Sequence, residues 1–289
     1  MISALQIILL GLIQGAAELL PVSSSAHVIV AEKLMGIDPV SPEATFLLVM
    51  LHTGTMFAVL VYFWKKWAAR YFADTGRRSA VLAQLVVATA FSGAIGLGLK
   101  FIIERMILGS GASPGEVEDL FGNVSLIGGG LAAVGVLIAV SGFMRRDSVS
   151  ESKVSMGSAI GMGIIQGLIL PIRGFSRSGG TISVGLLAGN GRGEAEDFSF
   201  ALAVLLTPAI VALEFERLLK LHAAETRPHH LAHLLGPGLI GMACSFVAGL
   251  LALRILSRWL EKGRWHYFGI YCLAAAAAVF GLSAAGILQ

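Results

Sequence analysis

Glu18, Ser24, His27 and Arg177 are side chains able to do chemistry, yet they stand in two otherwise apolar stretches of this sequence. An ionised group inside such a stretch costs at least about 2.5–3.5 kcal/mol on insertion scales, so Glu18 and Arg177 need a reason to be there. Gln14 and Glu18 are four residues apart, which puts them on one face of a helix. Pro21 then interrupts the helix, and Ser23, Ser24, Ser25 and His27 follow. Hydroxyls and backbone amides freed by such a break present donors to an anion. The second stretch offers Arg173, Gly174, Ser176, Arg177, Ser178, Gly179, Gly180 and Thr181. Arginine brings a planar fork suited to phosphate oxygens, and glycine permits close backbone approach. Together these residues read as a phosphate cradle, though not a Walker loop, because no Gly-Lys-Ser/Thr ending is present. Plainer accounts stand beside this one. Serines also cap helices, Arg173 can anchor at an interface, His27 can be a packed histidine, and Glu18 with Arg177 can simply join two segments.

The elements that position these residues must lie in a membrane. Of 289 residues 56% are hydrophobic and only 13% charged, against about 25% charged in a soluble domain. Mean hydropathy is +0.81. Six stretches are long and apolar enough to span: about 45–64, 80–103, 122–143, 197–216, 236–257 and 266–288. Residues 1–33 and 156–190 instead begin apolar and break into proline, glycine and serine. Freed backbone survives at membrane depth only when buried in protein or lining a cavity, so each reads as a re-entrant helical hairpin.

The two hairpins resemble one another. Gly11-Leu-Ile-Gln14-Gly15 is echoed by Gly163-Ile-Ile-Gln166-Gly167, and Val22-Ser23-Ser24-Ser25 by Phe175-Ser176-Arg177-Ser178. The expected architecture is an all-α polytopic membrane protein made of two repeats, 1–150 and 151–289, each a hairpin plus three spans. Three is odd, so the second repeat enters the membrane inverted, and the broken helices meet near the midplane.

Loop charge orients this arrangement. Lys65, Lys66, Arg70, Arg77 and Arg78 predict a cytoplasmic first loop, Glu116, Glu118 and Asp119 an external second one, and Arg145, Arg146 and Lys153 a cytoplasmic third. Arg258, Lys262 and Arg264 follow the scheme; Arg217, Lys220 and Arg227 do not. Both termini are expected outside. Spread over short loops, the net charge of +3 argues for orientation and against nucleic-acid binding. Cys244 and Cys272 lie inside apolar spans and form neither a disulfide framework nor a metal set.

The motifs Gln14-x-x-x-Glu18 with Leu20-Pro21-Val22-Ser23-Ser24-Ser25-Ala26-His27, and Gly174-Phe175-Ser176-Arg177-Ser178-Gly179-Gly180-Thr181, resemble the undecaprenyl-diphosphate phosphatase family, membrane enzymes also linked to bacitracin resistance. His52-Thr53-Gly54-Thr55 and the stretch from Arg192 to Phe200 are weaker echoes. The resemblance implies removal of one phosphate from a C55 polyprenyl diphosphate in the bacterial inner membrane, which returns the carrier lipid to cell-wall synthesis. It implies Glu18, Ser24, His27 and Arg177 as the functional core, with a divalent cation assisting. The family's second motif usually opens Pro-Gly, whereas here Arg173 precedes Gly174 and the proline lies earlier, at Pro171.

Phosphoryl transfer asks a protein mainly to position the group and neutralise its charge. Arg177 is expected to hold phosphate oxygens, with Gln14, Ser23, Ser25, Arg173, Gly174, Ser176, Ser178, Gly179 and Thr181 around the substrate. Glu18 and Gln14 are expected to hold Mg2+ or Ca2+ through oxygen. Either Ser24 or water attacks phosphorus, with His27 or Glu18 moving the proton. The expected partners are the polyprenyl diphosphate and the bilayer, with a homodimer as an admissible assembly and a site opening externally. A transporter of polyprenyl phosphate is the rival reading, since inverted repeats are a transporter design.

Overall fold

A computed structural model describes residues 2–38, 41–71, 74–107, 123–144, 152–224 and 230–288. The described chain contains ten α-helices, α1 Ala4–Leu19, α2 Ser24–Leu34, α3 Pro42–Tyr71, α4 Thr75–Ile102, α5 Val124–Met144, α6 Met156–Ile169, α7 Arg177–Leu187, α8 Arg192–Ala224, α9 His230–Glu261 and α10 Trp265–Ala284, and a π-helical turn, Ile103–Ile107, that continues α4. Among the described residues five helices are long and apolar enough to cross a membrane, α3, α4, α5, α9 and α10. The chain is therefore an all-α, multi-pass membrane protein. The sixth expected span, 197–216, lies within α8, which is helical throughout although several of its side chains fall outside the described residues.

Both expected hairpins form, and local sequence explains their breaks. In α1 a capping box ties Ser3 to Gln6. The helix stops because Pro21 disfavours helical geometry in the residue before it, and Leu20 is extended at φ −77° and ψ 150°. Ser23 and Ser176 then start α2 and α7 in the same way, each hydroxyl accepting a backbone N–H three residues on, from Ala26 at 3.4 Å and Gly179 at 3.2 Å.

Helix packing follows the correspondence between the halves. α1 packs on α9 just as its counterpart α6 packs on α4, while α3 meets α8 and α5 meets α10. Small residues allow the first two contacts. A Cβ on Gly15 would lie 2.4 Å from the Ser245 carbonyl oxygen, and one on Gly163 would lie 2.4 Å from that of Ala88. Such backbone approach is how helices associate where lipid removes the hydrophobic driving force. Ser92 bonds across the α4–α6 contact to the Gly163 carbonyl at 2.9 Å, and Ser245 bonds the Leu51 carbonyl at 2.9 Å. Between α3 and α8 the core is aromatic, with Phe63 stacked on Phe200 at 5.1 Å and on Trp67 at 5.4 Å.

The basic residues used to orient the chain have a second role. Arg70 pairs with Asp197, and Arg77 with Glu194 at 3.0 Å, binding the ends of α3 and α4 to the start of α8. Glu116, Glu118, Asp119, Arg145, Arg146 and Arg227 lie outside the described residues, as do the side chains of Arg217 and Lys220. Cys244 and Cys272 are free thiols, the second buried.

Candidate functional site

The breaks of the two hairpins face each other, and Glu18 joins them. Its Oε1 accepts from Arg177 Nη2 at 2.6 Å and its Oε2 from Ser24 Oγ at 2.5 Å. Gln14 Nε2 donates to Oε2 at 3.3 Å from one turn earlier, and His52 Nε2 of α3 lies 3.8 Å from the same oxygen. Ser24 and Arg177 are the first residues of α2 and α7, each following a capping serine, Ser23 or Ser176. Both helices thus direct their positive ends and first-turn amides into one space, the arrangement that favours an anion.

That space is a cavity of about 160 Å³ lined by Glu18, Ser23, Ser24, Ser25, Arg173, Ser176 and Arg177, with His52 and Thr207 beside them and Leu170, Ile172, Leu206 and Val211 among its apolar walls. Glu18 and Arg177 are mostly buried, with side chains 16% and 23% exposed. In these surroundings a charge-assisted pair is stronger than at a surface, and leaving one partner alone is correspondingly costly.

The remaining expected residues divide. Gln14 is fully buried behind Glu18. Ser25 Oγ accepts from the Gly174 N–H at 3.3 Å, which links the hairpins. Gly174 has φ +88°, and a Cβ there would fall 2.1 Å from the Ile127 carbonyl oxygen, so glycine is required by both conformation and space. Ser178 bonds the Ser176 hydroxyl at 3.3 Å and is buried, and Thr181 bonds Ser199 at 2.6 Å. A Cβ on Gly179 would meet Val134 and Ile138 of α5 at 2.9 and 2.8 Å. Gly179 and Thr181 therefore seat α7 against its neighbours, Ser178 bonds within its own helix start, and none of the three lines the cavity.

His27 also lies elsewhere. Its Nδ1 bonds the Ser23 carbonyl at 2.8 Å, and its Nε2 meets Tyr271 Oη at 2.7 Å, on the side of α2 turned towards α10. The imidazole that reaches the carboxylate is His52, whose Nδ1 bonds the Leu48 carbonyl at 2.9 Å. With Nδ1 engaged by that carbonyl, Nε2 is the ring nitrogen that faces the cavity. The motif His52-Thr53-Gly54-Thr55 was the one sequence signal pointing there; Leu206, Thr207 and Val211 carried none.

Among the described residues Glu18 is the sole carboxylate lining the cavity, and no group of three or more His, Cys, Asp or Glu residues forms a metal cluster. Such a donor set, one carboxylate with amide, hydroxyl and imidazole close by, cannot cage an ion alone. It fits a hard divalent cation completed by phosphate oxygens.

Fold and site together define a polytopic membrane protein in which two broken helical hairpins enclose a pocket with a carboxylate, a hydroxyl and a guanidinium in mutual contact. The chain matches the family model of the bacitracin resistance protein BacA over residues 7–278 and belongs to that family. It is 53% identical over 281 residues to undecaprenyl-diphosphatase 2 of Acinetobacter baylyi, covering 96% of this chain and 98% of that protein. It is 36% identical over 274 residues to an undecaprenyl-diphosphatase of Desulfosudis oleivorans, covering 93% and 94%, and 31% identical over 277 residues to one of Rhodopirellula baltica, covering 95% and 96%.

Proposed function

We propose that this chain hydrolyses undecaprenyl diphosphate to undecaprenyl phosphate and phosphate, returning the lipid carrier to cell-wall synthesis. The observation that carries the chemistry is the contact of one carboxylate with both Ser24 and Arg177, at 2.5 and 2.6 Å. The relatives' names supply the substrate.

Arg177 has five N–H donors and commits one to Glu18, which leaves the rest of its fork for the terminal phosphate. The helix starts at Ser24 and Arg177 add amide donors on either side. Glu18 Oε2 already accepts the Ser24 hydroxyl hydrogen and so acts as the base. As the Ser24 Oγ–P bond forms, the bridging P–O bond breaks, and the polyprenyl monophosphate leaves with the bridging oxygen and the proton relayed by Glu18. Water then attacks the phosphoserine, giving one proton to Glu18 for return to Ser24 Oγ and releasing phosphate. Glu18 would hold a divalent cation, with Gln14 bonding and orienting its carboxylate from behind, and the cation would supply charge neutralisation for the phosphoryl group. His27, tied to Tyr271, reaches Ser24 only through the Ser23 backbone.

Protein purified in detergent is expected to release phosphate from farnesyl diphosphate with Mg2+, and chelation should lower the rate at least about 10-fold, reversibly on re-addition. Release needs no sealed membrane. If no divalent cation supports it while vesicles still move polyprenyl phosphate, the transporter reading replaces this one.

The inverted arrangement of 1–150 and 151–289 in an inner membrane, with the pocket open externally, belongs to the same proposal and is supported by the paired α1–α9 and α6–α4 contacts. A reporter fused after Arg78 should read as cytoplasmic and one fused at Gln289 as external; the same side for both excludes it.

A further inference from the structure

Two apolar recesses adjoin the hairpins, and only one meets the charged cluster. The larger, about 430 Å³, runs between α2, α5 and α10 and is lined mainly by alanine and leucine. His27 and Tyr271, hydrogen-bonded to each other, are among its lining, and neither Glu18, Ser24 nor Arg177 is. The smaller is the apolar side of the site cavity itself: Leu170 and Ile172 from the break between α6 and α7, and Leu206 and Val211 from α8. Leu170 and Ile172 are 39% and 43% exposed, so side chains that line the cavity also form the outer surface of the bundle. An apolar chain bound in the cavity can therefore reach the outer surface along these two side chains.

The internal repeat supplies an independent reason to separate this wall from the charged one. Gln166 follows Gln14 by 152 residues, and the same offset places Leu170 opposite Glu18. At one position of the duplicated hairpin, the first half carries the carboxylate and the second an exposed leucine. In a prenyl diphosphate the first carbon of the tail is bonded to a phosphate oxygen, so the tail has to leave the cavity that holds its head. The larger groove is lined by the next residues along α2, Ala26 and His27, and shares no lining residue with the site cavity.

We propose that the isoprenoid tail leaves between the α6–α7 break and α8, through a slot formed by Leu170, Ile172, Leu206 and Val211, and that this slot sets the preference for longer chains. The inference rests on the diphosphatase reading. An apolar chain in the slot is stabilised in proportion to the apolar area it removes from other contacts, and shape at such a wall discriminates by about 10–200-fold.

The test compares Leu206→Trp with wild type in detergent on a C5 and a C15 prenyl diphosphate. The ratio of kcat/KM for C15 over C5 should fall at least about 10-fold. Ala278→Trp, which fills the larger groove, should leave that ratio within about 2-fold. A C15 diphosphate bearing a terminal photoreactive group should label wild-type protein at Leu206 or Val211, which decides the matter should the tryptophan variant not fold. An unchanged ratio in a folded, active Leu206→Trp protein, or labelling confined to residues 274–282, overturns the slot. Absence of phosphate release by wild type from both substrates overturns the diphosphatase reading and the slot with it.

Discussion

Replacing Ser24 by alanine is expected to lower kcat at least about 10⁴-fold while changing substrate affinity little, because the attacking oxygen is lost and the charged frame is not. Ser24 Oγ is the smallest member of the cluster and donates its hydrogen to Glu18 at 2.5 Å. Its removal leaves the Arg177–Glu18 pair at 2.6 Å and the helix starts of α2 and α7 intact. Ser23, not Ser24, caps α2, so the variant should fold. Binding and turnover should therefore separate, with a non-hydrolysable diphosphate holding as tightly as it does to wild type. Single-turnover phosphate release is the measurement. Retention of more than about a tenth of the rate excludes covalent attack by Ser24 and leaves water as the nucleophile, with Ser24 as a ligand.

The second large effect is expected from Arg177→Lys, at least about 100-fold in kcat/KM, the usual scale for removing an oriented donor from a developing phosphoryl charge. Lysine keeps the positive charge opposite Glu18, so no carboxylate is left buried and unpaired. It loses the fork that contacts Glu18 with one nitrogen while presenting others to phosphate. The fold should persist, since α7 is capped by Ser176 and seated by Thr181 on Ser199 at 2.6 Å, none of which involves the guanidinium. Thermal unfolding in detergent should stay close to wild type while activity collapses. Near wild-type turnover demotes Arg177 to a link between hairpins, whereas loss of folded protein marks the pair as structural.

Legibility in the sequence tracked the range of the forces concerned. The breaks at Pro21 and Pro171 and the capping serines act within a few residues, so both hairpins can be read directly, with α2 beginning at Ser24 and α7 at Arg177. The repeat put Glu18 and Arg177 in corresponding hairpins, and a charge in an apolar segment demands a partner. Their contact followed from those two facts. What could not be read was rotation. Residues 176–181 all look like phosphate ligands in sequence, but a helix turns about 100° per residue, so they cannot all face one cavity. Packing of α7 on α5 and α8 turned Gly179 and Thr181 inward, while Ser178 bonds back to Ser176.

The sequence by itself determined that this chain lives in a membrane, and that two polar breaks in apolar stretches, with echoed motifs, carry a carboxylate, hydroxyls and a guanidinium. Composition and local chain stiffness suffice for those. Only the tertiary structure decided which imidazole meets the carboxylate. His27 is three residues from Ser24 but is drawn to Tyr271, 244 residues away, while His52 on another helix turns its Nε2 to Glu18. It also decided that Arg70 and Arg77 pair with Asp197 and Glu194 on α8. The reason is the same in each case: a side chain's partner is set by which helices pack together and by their rotation about their axes, and both come from contacts summed across the whole bundle.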